Sequence, residues 1–238
     1  MSFDAERYAG IAERHAWDDR AAAKADVDDV RNRIRWHKDL TNAVGRRYAG
    51  CTLENYCAST GPQTLALESL RAYAKAIREH VVSGYGVTLF GSCGTGKDHL
   101  AIALCREAIE AGVRSVWVDA EAQFAELRAS FRDDARKDER EVFRSLETVP
   151  VLALSDPIPQ SGELTEYQSR AIRRVIGARY ANLLPTILTL NVATGDEAKQ
   201  RLGVAVYDRI RGSSLAIHCN WPSHRQPATR TPSTPEPQ

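Results

Sequence analysis

The chain has 238 residues, 43% of them hydrophobic and 26% charged, and its 32 basic and 31 acidic side chains leave a formal charge of +1. That balance fits one substantial soluble core with a small appendage, and it excludes nucleic-acid binding through overall charge, so any such contact must come from local patches. No apolar run approaches the roughly 20 residues of a membrane span, and the N-terminus MSFDAERYAGIAERHAWDD lacks a basic-then-apolar signal pattern; the chain is expected in the cytoplasm with no membrane partner. The five cysteines, Cys51, Cys57, Cys93, Cys105 and Cys219, form no CxxC pair, so free thiols are expected rather than a zinc knuckle.

Residues 1–47 read as a separate helical arm. Acids come first (Asp18, Asp19, Asp26, Asp28, Asp29) and bases later (Arg31, Arg33, Arg35, Lys38, Arg46, Arg47), while the alanines of 21–25 and the absence of proline favour helix. Such an arm is either simply solvated or a docking element for a protein or nucleic acid. GRRYAGCTLENY, 45–56, is a loop into the main domain, expected over 48–225. Leu67, Leu70, Ala74, Ile77 and Val81 fall at helical spacing and predict one amphipathic helix over 64–81. Val87 to Phe90 is a short strand, followed by a glycine loop and a helix from Lys97 to Ala111 that Gly112 ends.

RSVWVDA is a second strand, and EAQFAELRASFRDDARKDEREVFRSLE a charged helical stretch broken near Asp133 and Asp134. VPVLALSDP is a third strand, continuously apolar as buried parallel strands are. TEYQSRAIRRVIGARYANLL is a helix, PTILTLNV a fourth strand, AVYDRIRGSS a short helix and turn, and LAIHCNW a fifth strand. The tail QPATRTPSTPEPQ, 226–238, has the composition of a disordered segment. Strands alternating with helices of these lengths predict an α/β domain with a mainly parallel sheet covered on both faces.

Between the first strand and its helix stands Gly91-Ser92-Cys93-Gly94-Thr95-Gly96-Lys97, which satisfies the GxxxxGK part of a phosphate-binding loop. Glycines let backbone amides turn inward around phosphate oxygens, the helix N-terminus adds positive potential, and Lys97 reaches the terminal phosphates. Strand before and helix after are the flanks this loop requires.

GSCGTGKDHLA, followed in order by VLALSDPI, TEYQSRAIRRVIGARY, LPTILTLNV, VYDRI and NWPSHR, resembles the DnaC/IstB group of AAA+ ATPases from about Tyr48 to Arg225. The resemblance implies an AAA+ P-loop core using ATP and Mg²⁺, and probes two roles: loading a replicative helicase onto single-stranded DNA, or helping a transposase on duplex DNA. In the loaders an N-terminal extension docks onto the helicase, which would give residues 1–47 that task. It further implies that Gly91 to Lys97 hold the triphosphate, that Asn191 orients the attacking water, and that Arg225 is a second sensor of the γ-phosphate. Arg209 would be an arginine finger reaching a neighbouring subunit, so a homo-oligomer with ATP at its interfaces is expected. His99 matches a structural position.

Two positions depart from the family pattern. Asp98 follows the loop lysine where the family has Thr, Ser or Asn. At the end of the third strand, where the family has two acids, Ser155 takes the metal-acid place and Asp156 the catalytic one; a register slip would make Asp156 the metal acid instead. A hydroxyl and a carboxylate have thus changed places, and Asp98, Ser155 and Asp156 become the candidate metal ligands. A carboxylate about 4 Å from a phosphate charge costs on the order of 4 kcal/mol at an effective dielectric near 20, roughly a thousandfold in affinity, and a cation between them reverses the sign. The site is expected to work with Mg²⁺; the rival is an adaptor that binds nucleotide without hydrolysing it. Arg128, Arg132, Arg136, Lys137 and Arg140 are interleaved with acids, and Arg170, Arg173, Arg174 and Arg179 form a denser basic helix; either set is a solvated face or a DNA or subunit contact.

Overall fold

The computed structural model describes residues 5–129 and 138–225. The tail 226–238 lies outside the described residues, as do Arg132, Arg136 and Lys137 of the charged stretch.

Five apolar runs form one sheet: β1 (Gly86–Phe90), β2 (Ser115–Asp119), β3 (Val151–Ser155), β4 (Thr186–Leu190) and β5 (Ser214–His218). Their spatial order is β2-β3-β4-β1-β5 and every neighbouring pair is parallel. Successive side chains point to opposite faces of a strand, and the core divides accordingly. Val87, Leu89, Val151, Ala153 and Ile187 join the cluster beneath α1 (Ala5–Tyr48), α2 (Gly61–Lys75) and α4 (Lys97–Glu110). Leu152, Leu154, Leu188 and Leu190 join the cluster on the other face. That face is covered by α5 (Ala120–Ala129), α6 (Glu139–Thr148), α7 (Glu166–Ala181), α8 (Gly195–Leu202) and α9 (Val204–Gly212). Both faces of the central strands β1, β3 and β4 are buried, which is why these read as nearly continuous apolar runs.

From Ala5 onward the arm is helical, with a break at Gly45 (φ 72°, ψ 171°). Its C-terminal turns are not separate from the domain: Leu40 and Val44 are buried in the first cluster, with Trp36 and Tyr48 packed against it. His37 Nε2 and Glu110 of α4 meet at 2.7 Å. Further up the helix, Val27, Val30 and Ile34 are 48%, 47% and 64% exposed and recur at helical spacing.

Two elements differ from expectation. The helix expected over 64–81 is two, α2 and α3 (Ile77–Ser83), parted at Ala76 (φ −101°, ψ 21°), whose amide donates to Tyr73 O and closes the first helix early. Helix α8 was not expected, yet Thr194 caps it by accepting from Glu197 N, and Asp196 and Glu197 stand in its first turn.

The basic helix α7 is also not the open surface its arginines suggest. Arg179 is wholly buried and donates to the carbonyls of Leu146, Val149, Pro150 and Pro185 and to Thr186 Oγ1, at 2.6 to 3.3 Å. It ties the turns that lead into β3 and β4. Arg170 pairs with Glu166 at 2.8 Å, and Arg174 with Glu147 at 2.7 Å while lying over the Phe143 ring.

Candidate nucleotide site

The loop Gly91 to Gly96 leaves the carboxyl end of β1 and delivers Lys97 as the first residue of α4. In an open parallel sheet this is the edge where ligands bind. Gly91, Gly94 and Gly96 all have positive φ (141°, 83° and 88°), the backbone that a loop wrapped around an anion demands. Thr95 Oγ1 donates to Ser92 O at 3.0 Å, and Lys97 Nζ donates to Gly91 O at 3.0 Å and Ser92 O at 2.8 Å. The lysine head is therefore held across the loop.

The loop is fixed from outside by two side chains. Tyr56 OH donates to Thr95 O at 3.0 Å and Trp221 Nε1 donates to the same oxygen at 2.8 Å. His224 meets Gln63 Nε2 at 3.0 Å and Tyr56 OH at 3.3 Å, and the Tyr56 ring stands edge-on to both His99 and His224. Gln63 also closes the capping box of α2 with Thr60, so the start of that helix, the loop and the NWPSHR segment share one network. His99 contacts Thr52 O at 2.9 Å, the structural position expected of it.

At the ends of β3 and β4, Ser155, Asp156 and Thr189 meet Asp98 of α4. Ser155 pairs with Thr189 in the sheet register. Ser155 Oγ donates to Asp98 Oδ1 at 2.6 Å, and Thr189 Oγ1 lies 3.2 Å from the same oxygen, 3.3 Å from Ser155 Oγ and 3.3 Å from Asp156 Oδ1. Asn191 Nδ2 donates to Asp156 Oδ2 at 2.6 Å. Asp156 has a φ of 46°, uncommon for a residue with a side chain, and its amide donates to the Thr189 backbone and side-chain oxygens. Burial, with the Asp98 charge second, pushes its carboxyl up to about 6; Lys97 and the bonds from Asn191 and Thr189 oppose the rise.

Among the expected site residues, Cys93, Gly94, Gly96, Lys97, Asp98, Asp156, Asn191 and Arg225 line one cavity of about 320 Å³. Arg47, Tyr48 and Cys51, from the end of the arm and the loop after it, line it too. Arg209 does not. It lines a second cavity, of about 600 Å³, with Thr186 and Ser214, the first residues of β4 and β5, at the opposite end of the sheet. Thr189, Tyr56, Trp221 and His224 were not anticipated. A threonine inside LTLN was the available signal for the first.

The donor set suits a hard divalent cation: two carboxylates, Asp98 and Asp156, with two hydroxyls between them, all oxygen. The glycine loop and its lysine suit a polyphosphate.

Residues 58–230 match the family described as IstB-like ATP binding protein. The chain is 28% identical over 218 residues to the replicative helicase loader DnaC of Escherichia coli (strain K12), covering 90% of this chain and 86% of that one. It is 28% identical over 186 residues to DnaC of Buchnera aphidicola subsp. Schizaphis graminum, covering 78% and 73%. Its fold is similar to the crystal structure of the DnaC helicase loader, with a TM-score of 0.65 at 27% identity over 73% of this chain and 99% of that one. AMPPCP-bound DnaA from Aquifex aeolicus gives 0.54 at 22% identity, over 70% and 50%, a likeness of fold. The sheet and its flanking helices are those of an AAA+ core, and the chain belongs to the IstB-like ATP-binding protein family.

Proposed function

We propose that the protein binds and hydrolyses ATP with Mg²⁺ and uses that cycle to load a replicative helicase onto single-stranded DNA. The observation that carries the choice of partner is the reach of the similarity. The match to the DnaC loader leaves only a tenth of the chain outside it, so it extends well into α1, whereas the family match begins at residue 58. An arm similar to that of a loader favours a helicase over a transposase as its target. The exposed stripe of Val27, Val30 and Ile34 supports a docking role, since three apolar side chains along one helix face gain by burial against a partner.

In the pocket, the loop amides and Lys97 would hold the phosphates, and Asp98 and Ser155 the Mg²⁺. Bound Mg²⁺ supplies charge neutralisation at the transferred phosphate. Asp156, whose carboxylate meets Asn191 Nδ2 and Thr189 Oγ1, would take a proton from the attacking water. Arg209 lies away from its own loop pocket, which supports its service to a neighbouring subunit.

The test is reconstitution: purified protein, a replicative hexameric helicase and circular single-stranded DNA, scored for ATP-dependent helicase loading. Lys97→Ala should lose both nucleotide binding and loading. Loading that persists in this variant sinks the ATP-driven reading, and capture of a transposase in place of the helicase replaces the partner.

A further inference from the structure

Asp98 places a negative charge where phosphates are to be received. It follows directly on Lys97, lines the same cavity, and its Oδ1 accepts from Ser155 Oγ at 2.6 Å, with Thr189 Oγ1 3.2 Å away. Both hydroxyls are buried, at 3% and 1% exposure, so this carboxylate is fixed in position and not free to swing into solvent. Asp156 is joined to it through Thr189 Oγ1, which lies 3.3 Å from Asp156 Oδ1. The nearest cation, Lys97, is 5% exposed and already spans two loop carbonyls. A bare triphosphate entering this pocket therefore meets two carboxylates against one engaged ammonium, with Arg225 and Arg47 at the rim.

We propose that the pocket admits a nucleotide only as its complex with a divalent cation, and that Asp98 and Ser155 act as one exchanged pair in holding that cation. The inference rests on the ATP-binding reading of the loop and adds to it a strict order of affinity. A cation between Asp98 and the phosphates turns the largest repulsion in the pocket into an attraction. Ser155 has a double part. Without the cation its hydroxyl proton satisfies the Asp98 oxygen; with it, the hydroxyl oxygen is a second donor of the kind hard cations accept. The carboxylate thus comes from the helix and the hydroxyl from the strand, and neither can be changed alone without loss.

The experiment is calorimetric titration of ADP and a non-hydrolysable ATP analogue into the full chain, in excess Mg²⁺ and in excess EDTA. Asp98 is partly exposed, so water screens part of its charge and the thousandfold upper figure falls to about a hundredfold. The wild type should bind about a hundredfold more weakly in EDTA. Asp98→Asn keeps an acceptor for Ser155 and should fold normally, bind metal-free nucleotide at least about tenfold better than wild type, and lose most of the Mg²⁺ advantage. In the cycle of Asp98→Thr, Ser155→Asp and both together, the double variant should recover more Mg²⁺ advantage than the two singles sum to. Equal wild-type affinity in both buffers, or a strictly additive cycle, overturns the exchanged pair while leaving the ATP reading intact. A folded wild type that binds no nucleotide in either buffer overturns the ATP reading, and this inference with it.

Discussion

Substituting Gly96 by alanine should cost the loop its shape, and the structure sets the size of the effect. Gly96 has a φ of 88°, where a side chain adds about 1–2 kcal/mol of backbone strain. Its added Cβ would stand 2.7 Å from Tyr56 Cε2. That ring has no easy retreat: it is buried, flanked edge-on by His99 and His224, and its hydroxyl holds Thr95 O. Overpacking of a buried ring costs about 1–3 kcal/mol. Together these give about 2–5 kcal/mol, concentrated in the phosphate loop, so Mg²⁺–ATP affinity should fall at least about thirtyfold. Calorimetric titration measures it, with thermal melting as a check on the fold. Tyr56→Ala alone removes a loop anchor and should also weaken binding. Added to Gly96→Ala it removes the clash, so the double variant should bind better than the two losses combined would allow. Binding of Gly96→Ala within threefold of wild type, with an unchanged melting temperature, would refute this account of how the loop is held.

Arg179→Met should destabilise the protein by about 3–5 kcal/mol in denaturant unfolding, because it orphans four buried carbonyls and a threonine hydroxyl; a loss under about 1 kcal/mol would show that water replaces the guanidinium. Arg209→Ala should bind Mg²⁺–ATP normally yet fail to hydrolyse it, and mixing it with Lys97→Ala should restore part of the activity; no recovery in a mixture shown to co-assemble would remove the trans role. Val30→Asp with Ile34→Asp, on exposed positions of α1, should leave nucleotide affinity and melting temperature unchanged while abolishing capture of the helicase; undiminished capture moves the docking face elsewhere. Deleting residues 1–47 is a poorer probe, since it strips Leu40 and Val44 from the core.

The sheet was legible because burial on both faces leaves a signature in local composition. All five strands were found from short apolar runs, and the loop from glycines and a lysine whose spacing follows from the geometry of an anion cradle. The break at Ala76 was not, because neither glycine nor proline marks it; a single i→i−3 bond to Tyr73 does, and alanine favours helix as readily as anything. Helix α8 carries sequence signals at both ends: Thr194 before Asp196 and Glu197, with Gly203 after.

The acids and the anchors of the site show where local reading ends. Asp98 and Ser155 lie 57 positions apart, yet the sequence reading brings them to one site, because each departs from a family pattern in a complementary way. Tyr56 and Trp221 break no pattern. They are 165 positions apart, one in the loop into the domain and one in NWPSHR, and both reach the carbonyl of Thr95. A backbone oxygen carries no side-chain identity, so a partner that serves it leaves no trace in the sequence beyond an aromatic residue, which reads as core. Charge pattern misled for the same reason at Arg179: its partners are carbonyls, invisible to a count of acids and bases, and an arginine counted as surface is among the most buried side chains in the fold. Distant side chains that answer one another can be paired from sequence; those that answer a distant backbone oxygen are paired only in the folded chain.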